Sequence, residues 1–146
     1  MTSAQPGSVE DPNCLFCKII SGAIPSKRIY EDDQAVAFLD IGAWHPGHSL
    51  VVPRRHVPDL VSGEPSLATI APAIDTVSRL LVDKLAADGI NLLCSSGPVS
   101  GQEIFHLHVH VVPRYADESG LDNMINRRQL PEGELDSVYR RIQGSP

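Results

Sequence analysis

The chain has 146 residues, of which 42% are hydrophobic and 21% charged, a balance typical of one globular domain with its own core. Its formal charge of -6 argues against nonspecific nucleic-acid binding, which needs a basic surface, but is compatible with a small phosphate ligand. The chain has no apolar run of about 18 residues and no basic-then-apolar leader, so we expect no membrane partner, no secretory signal and a cytoplasmic location.

The first half of the chain predicts a short helix and three strands after a polar tail. Residues 1–12 are polar and contain prolines, which predicts a mobile segment. Residues 14–20 predict a helix that ends at Gly22. Strands are expected over residues 28–31 and 35–39, on either side of a turn at Asp32 and Asp33, and over residues 49–52, before Pro53.

In the second half, apolar residues recur at spacings of three and four, which predicts one long helix with a buried stripe. The stripe consists of Leu67, Ile70, Ile74, Val77, Leu81 and Leu85. Pro72 is expected to kink this helix or split off its first turn, and Gly89 to end it. Further strands are expected over residues 91–95 and 105–112, the latter stopped by Pro113, with a possible helix over 133–142. These elements predict an α+β domain with an antiparallel meander.

Three histidines alternate with apolar residues near the end of this pattern: His106, His108 and His110. On a β-strand, alternate side chains point to the same face, so the three imidazoles are expected to share one face of the sheet. Such an array is suited to binding a metal, acting as a nucleophile or gripping an anion. Chance is a poor explanation, because histidine is rare and three occur at every second position.

A second motif is the pair Cys14 and Cys17, separated by two residues. The pair alone is compatible with a redox site, half of a zinc site or two buried cysteines. A closed zinc site needs four ligands, and the third cysteine, Cys94, is expected in the core of the fourth strand. Histidines are therefore the better candidates to complete it: His56 and one member of the triad.

The loop over residues 97–102 contains two glycines and leads into the histidine run, where its backbone N–H groups are suited to contacting phosphate. A plain hairpin loop is the alternative. Asp40, at the end of the second strand, is suited to accepting hydrogen bonds from ribose hydroxyls, or to capping a turn. Trp44 is the only tryptophan and by itself predicts nothing.

With these motifs in place, the sequence resembles the histidine triad (HIT) family. The family signature is matched without exception from His106 to Val112. Further matches keep the family's order along residues 14–115 and cover residues 16–20, 24–25, 30–32, 37–40, 46–48, 52–56 and 101–102.

The resemblance implies an α+β domain with a five-stranded antiparallel sheet, one short and one long helix, and a sheet extended across a homodimer. It places the HIT domain at residues 13–115, followed by a partly helical or mobile extension over 116–146. It also implies a hydrolase or transferase that binds a purine nucleotide such as AMP or GMP, or its conjugates. Such an enzyme cleaves at the α-phosphate through a nucleotidyl-histidine intermediate.

The resemblance further implies roles for single residues. His108 would be the nucleophile, with His110 at the α-phosphate and His48 beside the catalytic face. Gln102 and the loop at Gly101 would face the phosphate, and Asp40 would bind the ribose. The base pocket would be lined by Phe16, Ile19, Ile24 and Phe38. A structural zinc ion would be held by Cys14, Cys17, His56 and His106.

Two positions depart from the family's pattern. Ser95 occupies a position where many members carry an asparagine or glutamine that contacts the nucleotide. Glu103 occupies a position near the leaving group where eukaryotic members often carry serine or threonine. Two alternatives therefore remain open at this point: a dinucleoside polyphosphate hydrolase of the Fhit type, or a zinc-stabilised nucleotide-binding protein with residual catalysis.

Overall fold

A computed structural model describes residues 10–116 and 130–144 of the chain. The chain divides into two compact units, Met1–Ala116 and Asp117–Pro146. Most of the expected mobile tail, residues 1–9, and residues 117–129 of the extension lie outside the described residues. No helix in the described ranges is long and apolar enough to cross a membrane.

The described part of the first unit, residues 10–116, contains two α-helices and five strands. In chain order they are α1 (Leu15–Ser21), β1 (Arg28–Glu31), β2 (Ala35–Leu39), β3 (Ser49–Pro53), α2 (Leu67–Leu85), β4 (Gly89–Leu93) and β5 (Val109–Arg114). A 3-10 turn over Pro98–Ser100 lies between β4 and β5. The second unit contains α3 (Glu134–Ile142), close to the helix expected over residues 133–142.

The five strands form one antiparallel sheet in the order β1-β2-β3-β5-β4. The predicted fold class, an α+β domain with a five-stranded antiparallel sheet, is therefore confirmed. The sheet is not the simple meander that was expected. The chain leaves β3 through α2 and returns at the far edge as β4, so that β5 lies between β3 and β4.

Each face of the sheet buries a separate core, because successive strand residues point to opposite sides. Helix α2 covers one face, where Ala35, Ala37, Val51, Val109 and Val111 pack against its apolar stripe. Helix α1 and its neighbours cover the other face, which carries Val36, Phe38, Leu50 and Val52. The histidines of interest lie on the α1 side.

The predicted boundary of the histidine strand is wrong at its start. Strand β5 begins at Val109, so His106 and His108 precede it. The backbone N–H of Leu107 donates to the carbonyl of Val57 at 2.8 Å, so this stretch pairs with the loop after β3 rather than with β3 itself. The three histidines are thus divided between a connecting segment and a strand.

Some predicted ends of strands and helices, placed at prolines or glycines, differ from the structure. Pro53 and Pro113 are included in β3 and β5, and β4 begins at Gly89 rather than at residue 91. Helix α2 runs through Pro72 without interruption and ends with Ala86 in the left-handed conformation, φ 55°. Pro72 is exposed, as is Ala68, whose carbonyl loses its helical partner, so water can satisfy that carbonyl.

Candidate functional site

Four sulfur and nitrogen donors converge at the start of α1. Cys14 is the N-cap of the helix and Cys17 lies in its first turn, while His56 follows β3 and His106 precedes β5. The Nδ1 atom of His106 lies 3.4 Å from the Sγ of Cys14, 3.5 Å from the Sγ of Cys17 and 3.2 Å from the Nδ1 of His56. We call this set the Cys–His cluster. The structure thus brings together all four residues expected as metal ligands.

The spacing of these donors suits a tetrahedral zinc ion. Zn–S bonds of about 2.3 Å and Zn–N bonds of about 2.0–2.1 Å place ligand atoms about 3.3–3.8 Å apart in a tetrahedron. The Nε2–H of His106 donates to the carbonyl of Pro53 at 2.9 Å, which leaves the lone pair on Nδ1, facing the other donors. Three polar groups around this single lone pair are more than hydrogen bonding can use, whereas one cation satisfies them all.

The electrostatics of the cluster also call for a cation. Burial raises the pKa of Cys17 to about 12, with a further contribution from the neighbouring Cys14. A thiol in this environment stays protonated unless a positive charge stabilises the thiolate, which is what a bound metal ion does. Because four protein donors complete the tetrahedron, such an ion would have no open position for water.

A pocket of about 540 Å³ lies on the same face of the sheet, beside the cluster. One side is apolar and includes the four predicted base-binding residues, Phe16, Ile19, Ile24 and Phe38. The other side carries Asp40, Gly101, Glu103, His108 and His110. No lysine or arginine is among the described residues that line it, so any bound phosphate would meet imidazoles and carboxylates rather than fixed cations.

The orientation of His108 is fixed by its own chain. Its Nδ1–H donates to the carbonyl of His106 at 2.7 Å, so the lone pair is on Nε2. The ring of Phe16 packs edge-on against the imidazole at a centroid distance of 5.0 Å. Burial lowers the pKa of His108, which keeps the ring neutral near pH 7. A neutral imidazole with a free Nε2 on the pocket wall is a suitable nucleophile.

A chain of hydrogen bonds runs from the loop after β2 into the pocket. The backbone N–H of Trp44 donates to Nδ1 of His48 at 3.0 Å, so the ring hydrogen of neutral His48 is on Nε2. This Nε2–H donates to Nδ1 of His110 at 2.9 Å. The hydrogen of neutral His110 is therefore on Nε2, where it is available to an anionic ligand.

The donor atoms of Asp40, His48 and His110 also lie close enough together to suggest a second metal site. The hydrogen bonding argues against a metal ion at this place. His48 accepts a hydrogen bond at Nδ1, so its Nε2 must carry a proton and has no lone pair for a metal. Asp40 Oδ2 lies 3.6 Å from that Nε2. We interpret the group as a hydrogen-bonded pair of histidines beside a carboxylate.

Gly47 allows the loop to present His48 in this way. Its φ of 92° belongs to the left-handed region, which L side chains rarely adopt. A Cβ at this position would lie 2.5 Å from Cδ1 of Leu85 and 3.2 Å from Cγ of Pro113. The glycine thus lets the loop lie directly against α2 and β5, and His48 is completely buried beneath it.

Two residues expected at the nucleotide do not line the pocket. The amide of Gln102 is buried and used internally: its Oε1 accepts from Gly97 N at 2.8 Å, and its Nε2 donates to Pro58 O and Ile104 O at 2.7 and 3.1 Å. Gln102 therefore holds the glycine loop in place and does not offer its amide to a phosphate. Ser95 is half-buried just beyond β4 and is likewise absent from the pocket lining.

Sequence analysis missed one aromatic residue in this site. Trp44 lines the pocket, and its ring stacks on His110 with a centroid distance of 5.0 Å and an interplanar angle of 13°. The same ring lies 4.5 Å from that of His48. Its position in the loop between Asp40 and His48 was the only sequence signal that connected it with the site.

Acid should destabilise the fold through the buried imidazoles. Burial, reinforced by the neighbouring His108 and His48, lowers the pKa of His110 to about 4, whereas a histidine in the unfolded chain titrates near about 6.5. Between these values the unfolded state binds more protons, so the free energy of unfolding should fall as pH decreases through this window and show no such slope above it. After allowance for solvent screening, the contribution of His110 is on the order of 1 kcal/mol.

Urea unfolding at pH 7 and pH 5 checks this expectation. The His110→Gln variant removes the titrating group. Its free energy of unfolding should therefore differ less between pH 7 and pH 5 than that of the parent. The same slope in the parent and the variant would show that other groups cause the acid sensitivity.

The comparisons with known proteins agree with this geometry. The HIT domain family model matches residues 21–117. The protein Hit of Bacillus subtilis is 40% identical over 109 residues, which cover 74% of this chain and 75% of the relative. An adenylylsulfatase of Arabidopsis thaliana, HINT3, is 38% identical over 117 residues, which cover 77% of this chain and 59% of the relative.

Solved structures show the same fold. The structure of SMU.412c from Streptococcus mutans superposes with a TM-score of 0.84 at 36% identity, covering 96% of this chain and 88% of that one. A zinc-bound histidine triad family protein from Mycobacterium smegmatis gives a TM-score of 0.69 at 34% identity, covering 92% and 98%. With the family model, the sheet and the histidine run in agreement, the chain belongs to the histidine triad family, whose members bind nucleotides.

Proposed function

We propose that this protein cleaves purine nucleotide conjugates at the α-phosphate, through a nucleotidyl intermediate on His108. The observation that carries the proposal is the hydrogen bond from Nδ1 of His108 to the carbonyl of His106, which leaves Nε2 as a lone pair on the pocket wall. The pocket beside it offers an apolar slot for a base, a carboxylate at Asp40 for ribose hydroxyls, and His110 as a donor for phosphate oxygens.

The reaction would proceed in two displacements at phosphorus. In the first, the Nε2 lone pair of His108 forms a P–N bond, while the bond between the α-phosphorus and the leaving group breaks. The electron pair of that bond departs with the leaving group, and an amine leaving group takes up a proton from solvent. The Nε2–H of His110 donates to a non-bridging oxygen and stabilises the charge that develops there. In the second, water attacks the phosphorus and releases a proton to solvent, the P–N bond breaks and its electron pair returns to His108, giving the nucleoside monophosphate.

The pocket favours leaving groups that carry little negative charge. A polyphosphate leaving group needs basic side chains, and the described lining has none, while Glu103 adds a carboxylate on the polar side. Phosphoramidates and other mixed conjugates of a nucleoside monophosphate therefore fit better than dinucleoside polyphosphates.

A panel of adenylylated substrates tests the proposal. We expect kcat/KM for adenosine 5′-phosphoramidate to exceed that for a diadenosine polyphosphate by about tenfold or more, the factor that about 1.4 kcal/mol of charge repulsion gives. Glu103→Gln should narrow this ratio. Turnover of the polyphosphate alone would favour the Fhit-type alternative, and nucleotide binding without turnover of any conjugate would favour the binding-protein alternative.

We propose that the Cys–His cluster holds a structural zinc ion. Its two cysteines lie at the N-cap and in the first turn of α1, and its two histidines lie after β3 and before β5. The ion would therefore fasten the helix that lines the proposed base pocket to the sheet. With four protein donors it would not activate water. His106 would then be a metal ligand, which leaves His108 and His110 for phosphate chemistry.

We also propose that two chains pair through β4. Edge strands are usually protected, and β1 at one edge has an irregular register and charged ends at Arg28 and Glu31. The opposite edge, β4, carries no charged residue, and its Leu92 and Leu93 are exposed within the described part of the chain. Pairing with a second copy would cover this strand.

Light scattering should therefore report twice the mass of one chain. Leu92→Glu should shift the population toward monomer, because a carboxylate would be buried in the interface. Val61→Glu is the control, since Val61 is also apolar and exposed but lies in the loop before α2. A monomeric parent at working concentration would contradict the proposal.

A further inference from the structure

The indole of Trp44 forms an aromatic wall over the polar side of the pocket. It lies nearly parallel to the imidazole of His110, at 13° and a centroid distance of 5.0 Å, and it also contacts the ring of His48 at 4.5 Å. About half of the Trp44 side chain is exposed, so one face covers the histidines while part of the ring faces solvent. The arrangement places a large flat group where a small residue would leave His110 open to water.

The orientation of the His110 ring depends on a second contact besides its hydrogen bond with His48. The hydrogen bond from His48 fixes the position of its Nδ1 but leaves the ring free to tilt about that point. A stacked ring limits that tilt, because a parallel arrangement at this distance is lost when the imidazole rotates out of plane. The edge-on ring of His108, 5.1 Å away, restrains His110 from another direction. The direction of the Nε2–H therefore depends on the indole.

We propose that Trp44 is a positioning residue, whose indole holds His110 so that its Nε2–H points at the phosphate during the proposed nucleotidyl transfer. This inference rests on the proposed function for its kinetic consequences, but the stack itself is testable without a substrate. The backbone N–H of Trp44 has a separate task, since it sets the tautomer of His48.

Because the side chain and the backbone of Trp44 have different roles, substitutions of the side chain can test the stacking role separately. Replacing the side chain leaves the N–H bond to His48 in place, so a substitution removes only the ring contacts of the indole with His110 and His48. Trp44→Ala should lower kcat by about 10- to 100-fold, the cost typical of misplacing a catalytic group by about 1 Å, with a smaller change in KM. Trp44→Phe keeps an aromatic face and should recover most of the activity. Val61→Ala, an exposed apolar change outside the pocket, is the control.

Trp44 is the only tryptophan in the chain, so the protein's tryptophan emission reports on this stack directly. Removing the imidazole in His110→Ala should shift the emission to longer wavelength, because the indole becomes more exposed, whereas His45→Ala should leave it closer to the parent's. Identical spectra for the parent and His110→Ala would overturn the stacked arrangement, whether or not the protein is an enzyme.

The kinetic arm separates the two proposals. A parent without turnover of any adenylylated substrate contradicts the proposed function, and the emission result still decides the stack. An active parent whose kcat is unchanged in Trp44→Ala overturns the positioning role while the proposed function stands. Loss of activity in Trp44→Ala with a matching loss of thermal stability, and no recovery in Trp44→Phe, would show a structural role instead.

Discussion

Replacing His108 by alanine should abolish nucleotidyl transfer, with a loss of kcat on the order of 10⁴-fold or more, as for removal of other covalent nucleophiles. The reason is geometric: the Nε2 of His108 is the imidazole lone pair that its own hydrogen bond leaves free on the pocket wall. His110 cannot replace it, because the Nδ1 of His110 accepts from His48 and its Nε2 carries the hydrogen. Steady-state turnover of adenosine 5′-phosphoramidate measures the effect.

The control for this prediction is His45→Ala, because His45 lies outside the Cys–His cluster, outside the pocket lining and outside the hydrogen-bonded pair of His48 and His110. It should retain most of the activity. Acid-labile, base-stable attachment of the nucleotide to the parent protein, absent in His108→Ala, would identify the intermediate. Appreciable turnover by folded His108→Ala would contradict the nucleophile assignment.

Sequence patterns predicted the helix and strand bounds, and the facing of side chains, where residues close in sequence determine them. Strands β1 and β2 and helix α1 begin and end within a residue of the expected bounds, because turn residues and the glycine at position 22 set them. The four apolar residues predicted to bind the base all line the pocket. For Phe16, Ile19 and Phe38, the spacing within α1 and the alternation along β2 decide which side they face. The four donors of the Cys–His cluster come from distant parts of the chain. Their proximity was predicted from the ligand count and the family resemblance, not from local patterns.

The parts that could not be predicted depend on contacts between distant segments. The histidine run has a strand-like pattern, but it becomes a strand only from Val109, because His106 turns toward the cysteines and Leu107 pairs with Val57. Gln102 has polar atoms suited to a phosphate, yet the loop around it uses all of them. Neither outcome is visible in the local sequence.

Removing the cysteine ligands should produce the largest loss of stability. A double Cys14→Ser, Cys17→Ser change should reduce bound zinc from about one ion per chain to none, and lower the free energy of unfolding by several kcal/mol, about 10 °C or more in Tm. The physical reason is that α1 is only seven residues long, too short to be stable without its tertiary contacts. Elemental analysis and thermal unfolding are the measurements.

Cys94→Ser is the matched control, because Cys94 is a partly buried cysteine outside the cluster, packed against the α2 core. It should keep its zinc and most of its stability.

The same comparison separates a structural metal from a catalytic one. With a structural ion, the remaining folded fraction of the double variant should still turn over substrate at low temperature, because His108 and His110 do not touch the metal. Full zinc content in the double variant would refute the ligand assignment, and a zinc-free variant that is fully folded yet inactive would refute the structural role.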